Sequence, residues 1–331
     1  MLFSFLLFIA SLISPDPTDT KITGVCLTSP PNEIGQEKMA EVKRINPEWV
    51  SIIPYGFCRE GRPEVRFDSN QQWWGERTEG IIQLVDYAQK EGFKVMLKPH
   101  IWVLGQGWAG DYDLDAEEDW LKWEETFSTY ILHYAKVADS LDIEMLCVGT
   151  EYRYPARKRP DFWRKLIQDV RKIYGGKITY ASNWDNYHNI EWWDEVDYIG
   201  VDAYFPLITE DANPSKDKIV AAWRGFAKDL EDCSNRWDKP ILFTEYGFQS
   251  VNGACGEHWE VDKSSSNINE ELQANAYDAT WEYLHKEPWF AGGFLWKWHF
   301  VESKWEDRAT AWTPQDKKAE RIIKDWYGKL H

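Results

Sequence analysis

The chain has 331 residues, of which 43% are hydrophobic and 28% charged, so it is long enough for one large core or two small domains. Its formal net charge of −17 argues against nucleic-acid backbones and anionic membrane surfaces as partners, because like charges repel. The same repulsion makes an acidic polysaccharide an unfavourable ligand and leaves a neutral glycan as the better fit.

The first 14 residues, MLFSFLLFIASLIS, form an apolar run. The run is shorter than the roughly 20 residues that span a bilayer, but it has the length of a signal-peptide core, without the usual basic start. We expect residues 1–20 to be a signal peptide or hydrophobic leader with a short linker, followed by one domain over 21–331. The predicted localisation is therefore exported (periplasmic, secreted or cell-surface), with membrane contact only through a leader that is cleaved or acts as an anchor.

The cysteine positions and short sequence motifs exclude several kinds of disulfide, metal and catalytic site. Five cysteines without a CxxC pair exclude a disulfide scaffold and a structural zinc site, although one bridge between Cys58 and Cys255 stays open. The acidic run at 111–115 begins like a calcium loop but lacks the Gly and Glu that such a loop needs. No HExxH, GxSxG or Walker motif occurs. We therefore expect neither a metal nor a cofactor.

Strand-like and helix-like patterns alternate along the chain after the leader. Eight such strands with intervening helices predict a single (β/α)8 TIM barrel. A doubly wound open sheet is the alternative, but no Gly-rich phosphate turn follows the first strand. The predicted strands cover 21–28, 48–54, 93–100, 143–151, 177–183, 196–203, 240–246 and 290–297; the predicted helices cover 33–46, 77–91, 117–140, 160–174, 214–235, 269–286 and 314–328, with a weakly helical stretch at 187–194.

Four long loops follow the second, third, seventh and eighth strands, over 55–76, 101–116, 249–268 and 299–314. All four lie on the carboxyl-end face of a barrel, which is the catalytic face, and loops of this length are usually functional. The chain also has 21 tryptophans, more than packing alone usually recruits, and indole faces stack well on sugar rings. We expect the loops to wall a glycan cleft with their tryptophans, Trp73, Trp74, Trp102, Trp108, Trp259, Trp305 and Trp312.

Two of the predicted strands, the fourth and the seventh, end on a Thr-Glu pair, which places Glu151 and Glu245 at strand ends. A buried carboxylate costs several kcal/mol or shifts its pKa, so one without a role is expensive. The fourth and seventh strands are nearly opposite in a barrel, so the two side chains can meet across its mouth. Two carboxyl groups about 5–5.5 Å apart are what retaining glycoside hydrolysis requires. Either residue alone could equally be a strand-end carboxylate paired with Lys or Arg.

Strand alternation predicts which side chains share the mouth with these glutamates, because residues two apart point to the same face. Each of four strands contributes three residues two apart, of which at least one near the carboxyl end is polar or aromatic. The sets are Met96, Lys98 and His100; Gly200, Asp202 and Tyr204; Ile241, Phe243 and Glu245; and Phe294, Trp296 and Trp298.

Four motifs together resemble glycoside hydrolase family 113 over roughly residues 21–330: GTE ending at Glu151, FTEYGF at 243–248, LKPH at 97–100 and FLWKW at 294–298. The resemblance implies a barrel of the retaining clan with glutamates on strands four and seven. It also implies an endo-acting β-1,4-mannanase activity, with Glu151 as acid/base and Glu245 as nucleophile. One position departs from the wider clan, which has Asn before the acid/base where this chain has Thr150.

The departure at Thr150 leaves the residue that contacts the sugar 2-hydroxyl open between Asn183 and His100. Two other functions stay open: an exo-acting β-mannosidase or related β-glycanase, and a non-catalytic glycan-binding barrel. The expected partner is a neutral β-linked polysaccharide or oligosaccharide, with no nucleic acid and no protein partner. The predicted substrate-binding residues are Lys98, His100, Trp102, Asn183, Trp184, Asp202, Tyr204, Tyr246, Trp296 and Trp298.

Overall fold

The computed structural model describes residues 21–303 and 306–331, so the predicted leader at 1–20 and the loop residue Trp305 lie outside the described residues. Within those ranges, eight parallel strands close into a barrel in which each strand pairs with its neighbours in sequence and the last pairs with the first. The predicted (β/α)8 architecture is confirmed. The barrel strands are β1 (Ile22–Leu27), β2 (Trp49–Ile52), β3 (Lys94–Leu97), β4 (Met145–Thr150), β5 (Lys177–Asn183), β6 (Tyr198–Asp202), β7 (Ile241–Tyr246) and β8 (Phe290–Trp298).

Helices cover the outside of the barrel, and most coincide with the predicted ones. The segment after β5 forms only two short 3-10 turns, Tyr187–Asn189 and Trp193–Glu195, in line with its weak helical pattern. No helix in the described part of the chain is both long and apolar enough to cross a membrane. The α-helices are α1 (Gln36–Ala40), α2 (Thr78–Lys90), α3 (Glu117–Ser140), α4 (Arg153–Lys158), α5 (Pro160–Arg171), α6 (Lys216–Trp237), α7 (Glu270–Leu284) and α8 (Lys318–Lys329).

The loops after β2 and β3 contain a small sheet that the sequence did not predict. The predicted third strand ends early, at Leu97, and Pro99 lacks the N–H needed to continue a ladder. The chain then starts a new strand, His100–Leu104, which pairs with Tyr55–Arg59, and that strand pairs in turn with Arg62–Phe67. His100 and Trp102 are therefore held by a sheet rather than by an irregular loop.

The barrel interior and its outer face carry separate apolar layers. Inside, Cys26, Met96, Leu242 and Phe294 belong to one cluster, while the outward side chains pack under the helices in a larger one. The interior is close-packed: a Cβ on Gly24 would lie 2.4 Å from the ring of Phe294. The strand ends above this layer therefore rest on a filled, rigid floor.

Many of the tryptophans serve the core rather than a cleft. In the described part of the chain, Trp123, Trp163, Trp192, Trp193, Trp223, Trp281 and Trp298 are among the largest fully buried side chains. Trp163 and Trp192 stack with ring centroids 5.1 Å apart, and their N–H groups donate to carbonyls of α4 at 3.1 and 3.0 Å. Only a minority, including Trp73, Trp102, Trp108 and Trp259, are substantially exposed.

All five cysteines lie in the described ranges, and all are buried free thiols. The bridge that the sequence left open between Cys58 and Cys255 is therefore not formed.

Candidate active site

A bulge in β7 turns Glu245 into the barrel mouth. Simple alternation predicts that Ile241, Phe243 and Glu245 share a face, and this is wrong: Ile241 and Phe243 pack in the outer cluster. The pairing of β7 with β6 shifts register between Phe243 and Glu245, which reverses the phase of the strand at that point. As a result, Thr244 donates its hydroxyl to Asp202 at 2.7 Å and the next residue, Glu245, also reaches inward.

Glu245 is surrounded by groups that favour its ionised form. It is 5% exposed, and the Lys98 ammonium donates to Oε1 while the Tyr204 hydroxyl donates to Oε2 at 2.6 Å. His100 lies beside the same carboxylate, with Nε2 3.4 Å from Oε1. Burial alone would raise the pKa of Glu245, but the charge of Lys98, the adjacent His100 ring and the Lys98 hydrogen bond lower it to about 2.

Lys98 and Asp202 form the layer beneath this carboxylate. Both side chains are completely buried, and Lys98 Nζ lies 3.2 Å from Asp202 Oδ1. Neither side chain is exposed, and contact between these two residues and the substrate stays a prediction. Burial and the neighbouring Glu245 raise the pKa of Asp202, and the charge of Lys98 opposes the rise. Lys98 therefore contacts both carboxylates and lies between Asp202 and Glu245.

His100 stays close to the predicted place, and its charge state differs from that of Lys98. Burial and the nearby Lys98 charge lower the pKa of His100 to about 4. The imidazole is therefore neutral at neutral pH. Its ring lies parallel to that of Trp296, with centroids 6.2 Å apart and planes 2° from parallel.

Glu151 occupies a different environment at the end of β4. The residue immediately follows the strand in a left-handed conformation with φ of 55°, and its backbone N–H donates to the Ala181 carbonyl at 2.8 Å. Its Oε2 accepts a hydrogen bond from the indole N–H of Trp108 at 2.7 Å. Burial and the charge of Glu245 raise the pKa of Glu151 to about 7, although the Trp108 hydrogen bond opposes the rise.

Other predicted residues also lie around the mouth. Asn183 is nearly buried and donates its amide to Asp185 at 2.9 Å. Trp184 is half-buried and stacks on Trp259 with planes 12° apart. Trp102 is 49% exposed on the small sheet. These three residues provide polar and aromatic surface beyond the two glutamates.

Tyr246 and Trp298 are not part of the site. Tyr246 follows the inward Glu245 and points to the opposite face. There its hydroxyl lies 2.9 Å from the Tyr327 hydroxyl and accepts a hydrogen bond from the Trp281 indole N–H. Trp298 is fully buried because a register shift at the end of β8 turns it outward, with the Arg44 guanidinium 5.5 Å from its ring centre. Tyr246 points away from the mouth because it alternates with Glu245, whereas Trp298 does so because of the register shift.

Several site residues were not predicted in their observed roles. Trp108 was expected only as an aromatic platform, yet it binds Glu151 from 43 positions away. Thr150, the position that departs from the clan, donates its hydroxyl to the Pro99 carbonyl at 3.2 Å. No spacing in the sequence marks these long-range contacts. Among the described residues, no group of three or more His, Cys, Asp or Glu side chains is placed to hold a metal ion.

Comparison with known proteins agrees with this geometry. The family model described as Glycoside Hydrolase Family 113 matches residues 31–316. A solved structure titled as a complex of a GH113 β-1,4-mannanase is 27% identical, with a TM-score of 0.79 over 93% of this chain and 99% of that one. The GH113 β-mannanase AaManA from Alicyclobacillus acidocaldarius, in complex with ManMIm, is 25% identical, with a TM-score of 0.80 over 96% and 100%.

More distant structures share only the fold. A β-glucuronidase from Faecalibacterium prausnitzii is 14% identical, with a TM-score of 0.62 over 94% of this chain and 49% of that one. Comparison with curated proteins finds no match. The family match covers most of the chain and confirms the resemblance carried by the four sequence motifs. The chain therefore belongs to glycoside hydrolase family 113, and the protein is a glycoside hydrolase.

Proposed function

We propose that this protein hydrolyses β-1,4-linked mannans with retention of anomeric configuration, using Glu245 as nucleophile and Glu151 as acid/base. The observation that carries the proposal is the opposite electrostatic environment of the two glutamates. Glu245 has a pKa of about 2 and Glu151 of about 7, so one is ionised and the other protonated in weakly acidic solution. One protonated carboxyl group and one ionised carboxylate are what glycoside hydrolysis requires, and retention is proposed because the sequence motifs resemble those of the retaining clan.

The first step forms a covalent intermediate. A Glu245 oxygen bonds to the anomeric carbon while the glycosidic C–O bond breaks, and the leaving oxygen takes the Glu151 proton. This step removes the negative charge of Glu245. Because that charge is one of the causes that raise the pKa of Glu151, esterification lowers the pKa of Glu151 and prepares it to act as a base.

The second step returns both residues to their starting states. Glu151 accepts a proton from water, the water oxygen bonds to the anomeric carbon, and the ester C–O bond to Glu245 breaks. Lys98 and Tyr204 stabilise the carboxylate that is released. The sugar leaves with the configuration it had in the polysaccharide.

Mannan is the proposed substrate because the two family members described above carry β-mannanase in their titles. Endo action is favoured by exposed tryptophans on both sides of the mouth, since β3 and β7 are opposite in the barrel. Trp102 lies just beyond β3 and Trp259 in the loop after β7. Indole faces at these positions offer stacking surface beyond a single sugar.

The test is a product analysis combined with active-site labelling. On mannan and mannohexaose, we expect mixed oligosaccharides with the β-anomer formed first, and a 2-deoxy-2-fluoromannosyl fluoride to esterify Glu245 in peptide mass spectrometry. Mannose as the sole early product would indicate exo action. First formation of the α-anomer would contradict retention, and binding without turnover would contradict an enzymatic role.

We also propose that the protein is exported. The support is the apolar run at residues 1–14. Expression of the full chain followed by fractionation and N-terminal sequencing tests this. A cytoplasmic protein retaining its first residues would contradict the proposal.

A further inference from the structure

The loop after β3 presents one tryptophan directly to Glu151. The backbone N–H of Gly107 donates to the Val103 carbonyl at 2.7 Å and closes a tight turn. Gly107 has a φ of 91°, a conformation that side-chain-bearing residues rarely adopt. The turn places Trp108 in extended backbone immediately after it, with its indole N–H 2.7 Å from Glu151 Oε2.

The indole of Trp108 is held from two directions. The Arg153 guanidinium lies 4.9 Å from the ring centre, and Asp185 fixes Arg153 through an ion pair at 2.6 Å. On another side the ring packs against Gly110, where an added Cβ would lie 2.3 Å from two ring atoms. The arrangement fixes the position of the N–H.

The hydrogen bond between Trp108 and Glu151 has a fixed donor, the indole N–H, and a fixed acceptor, Oε2. An indole N–H only donates, so it binds a carboxylate oxygen best when that oxygen carries no proton. With Oε2 occupied in this way, the transferable proton of Glu151 belongs on Oε1. The same hydrogen bond favours the ionised form, which the second chemical step requires.

We propose that Trp108 is a positioning residue for Glu151: its N–H holds Oε2, directs the acidic proton to Oε1, and is itself held by Arg153 and Gly110. This inference rests on the proposed function, in which Glu151 is the acid/base. It adds to the residues at the strand ends a loop residue, Trp108, that positions Glu151 and is itself stacked on Arg153. Trp108 need not touch the sugar to act in this way.

The first test is Trp108→Phe, which keeps an aromatic ring and removes the N–H. Without the hydrogen bond, the carboxyl of Glu151 should lose its proton at a pH higher by about half a unit to one unit. We expect the alkaline limb of kcat/KM on mannohexaose to move upward by that amount, and kcat to fall about 10-fold. A titration of 13C-labelled glutamate carboxyls, assigned with Glu151→Gln, measures the same shift without any substrate.

The matched control is Trp120→Phe. Trp120 also donates its N–H, to the Leu114 carbonyl at 2.9 Å, and also lies under a guanidinium, with Arg159 5.9 Å from its ring centre. Its hydrogen bond does not involve Glu151. For Trp120→Phe we expect the alkaline limb of kcat/KM and the Glu151 carboxyl titration to match the wild type, even where the thermal stability of the variant is lower.

A second variant keeps the N–H and displaces it. Gly110→Ala should push the ring from its place, and we expect an upward shift of the same sign and smaller size than in Trp108→Phe. If either folded variant loses activity with the Glu151 titration unchanged, Trp108 acts only on substrate or structure and the proposal is overturned. If the titration shifts but the wild type does not hydrolyse mannan, the proposed function fails while the positioning role stands.

Discussion

The ends of β4 and β7 each present a glutamate to the same mouth, but the two residues are held in different ways. At β7, a buried lysine, a tyrosine and a bulged strand surround Glu245 and keep it ionised. At β4, an indole on a loop is the hydrogen-bond donor to Glu151, and burial beside Glu245 keeps it protonated. The difference indicates that residue type and strand position do not set the pKa of a carboxyl group. Its neighbours do.

The largest expected effect is the loss of kcat/KM when either glutamate is replaced, and for Glu151 this loss depends on the leaving group of the substrate. Glu245→Ala should lower kcat/KM by several powers of ten on mannan and on an activated aryl β-mannoside, since bond formation to the sugar is lost in both cases. Glu151→Ala should be comparably damaging on mannan but much less so on the aryl substrate, whose leaving group needs no proton. Steady-state kinetics on both substrates checks this, and equal losses for the two variants on the aryl substrate would contradict the assignment.

Removing the cation beneath Glu245 should have the next largest effect. Lys98→Met leaves Asp202 and Glu245 without their shared cation, so we expect kcat/KM to fall about 100-fold. The acid limb of kcat/KM should move to higher pH, because the pKa of Glu245 rises when the charge of Lys98 is lost. The matched control is Lys94→Met on the same strand, which removes an exposed lysine 2.7 Å from Glu48 and should change little. A Lys98→Met enzyme with a wild-type acid limb would show that Lys98 does not set the charge of Glu245.

The hydroxyl of Tyr204 should contribute less than the full charge of Lys98. A hydrogen bond to a charged group is worth about 1.5–3 kcal/mol, so Tyr204→Phe should lower kcat/KM about 10- to 100-fold. Tyr174→Phe serves as the control, because its hydroxyl donates to the Ile143 carbonyl at 2.7 Å, at the amino end of β4. Equal kinetics for the two variants would rule out a role for the Tyr204 hydroxyl at Glu245.

The smallest expected effect is on stability, and its sign differs between the two glutamates. The folded-state pKa of Glu151, about 7, lies above the unfolded value of about 4.3. The contribution of Glu151 to the free energy of unfolding is therefore complete below pH ~4 and is lost as pH rises through 7. Glu151→Gln should avoid that loss and gain about 1–2 kcal/mol over wild type between pH 4 and 8. For Glu245, with a folded-state pKa of about 2, the contribution is present above pH ~4 and is lost as pH falls through 2. Thermal melts at pH 4 and pH 8 measure the Glu151 effect, and a pH-independent difference would contradict it.

The sequence predicted the barrel well because its signal is local and repeated. Each strand is a short apolar run followed by a helical pattern, and the two Thr-Glu endings marked strand ends at the barrel mouth. The small sheet at 55–67 and 100–104 was missed because its strands are short and its pairing joins distant segments. Helix and strand patterns report local preference, and they carry no record of such pairings.

Prediction of the site failed where a strand departs from regular alternation. Asp202 and His100 follow the predicted phase, whereas Trp298 does not, because the register shift near the end of β8 turns it into the outer layer. The contact from Trp108 to Glu151 also has no sequence signal, because it depends on how a loop folds back over the mouth. Bulges and loop contacts are three-dimensional features, and at this site they turn Glu245 inward and supply the hydrogen bond to Glu151.

The most direct measurement of the central claim is the carboxyl titration of the wild-type enzyme by 13C NMR, with Glu151→Gln and Glu245→Gln to assign the two signals. We expect well-separated midpoints, with Glu245 ionised down to about pH 2 and Glu151 protonated up to about pH 7. Midpoints that coincide near pH 4–5, or that appear in the reverse order, would contradict it.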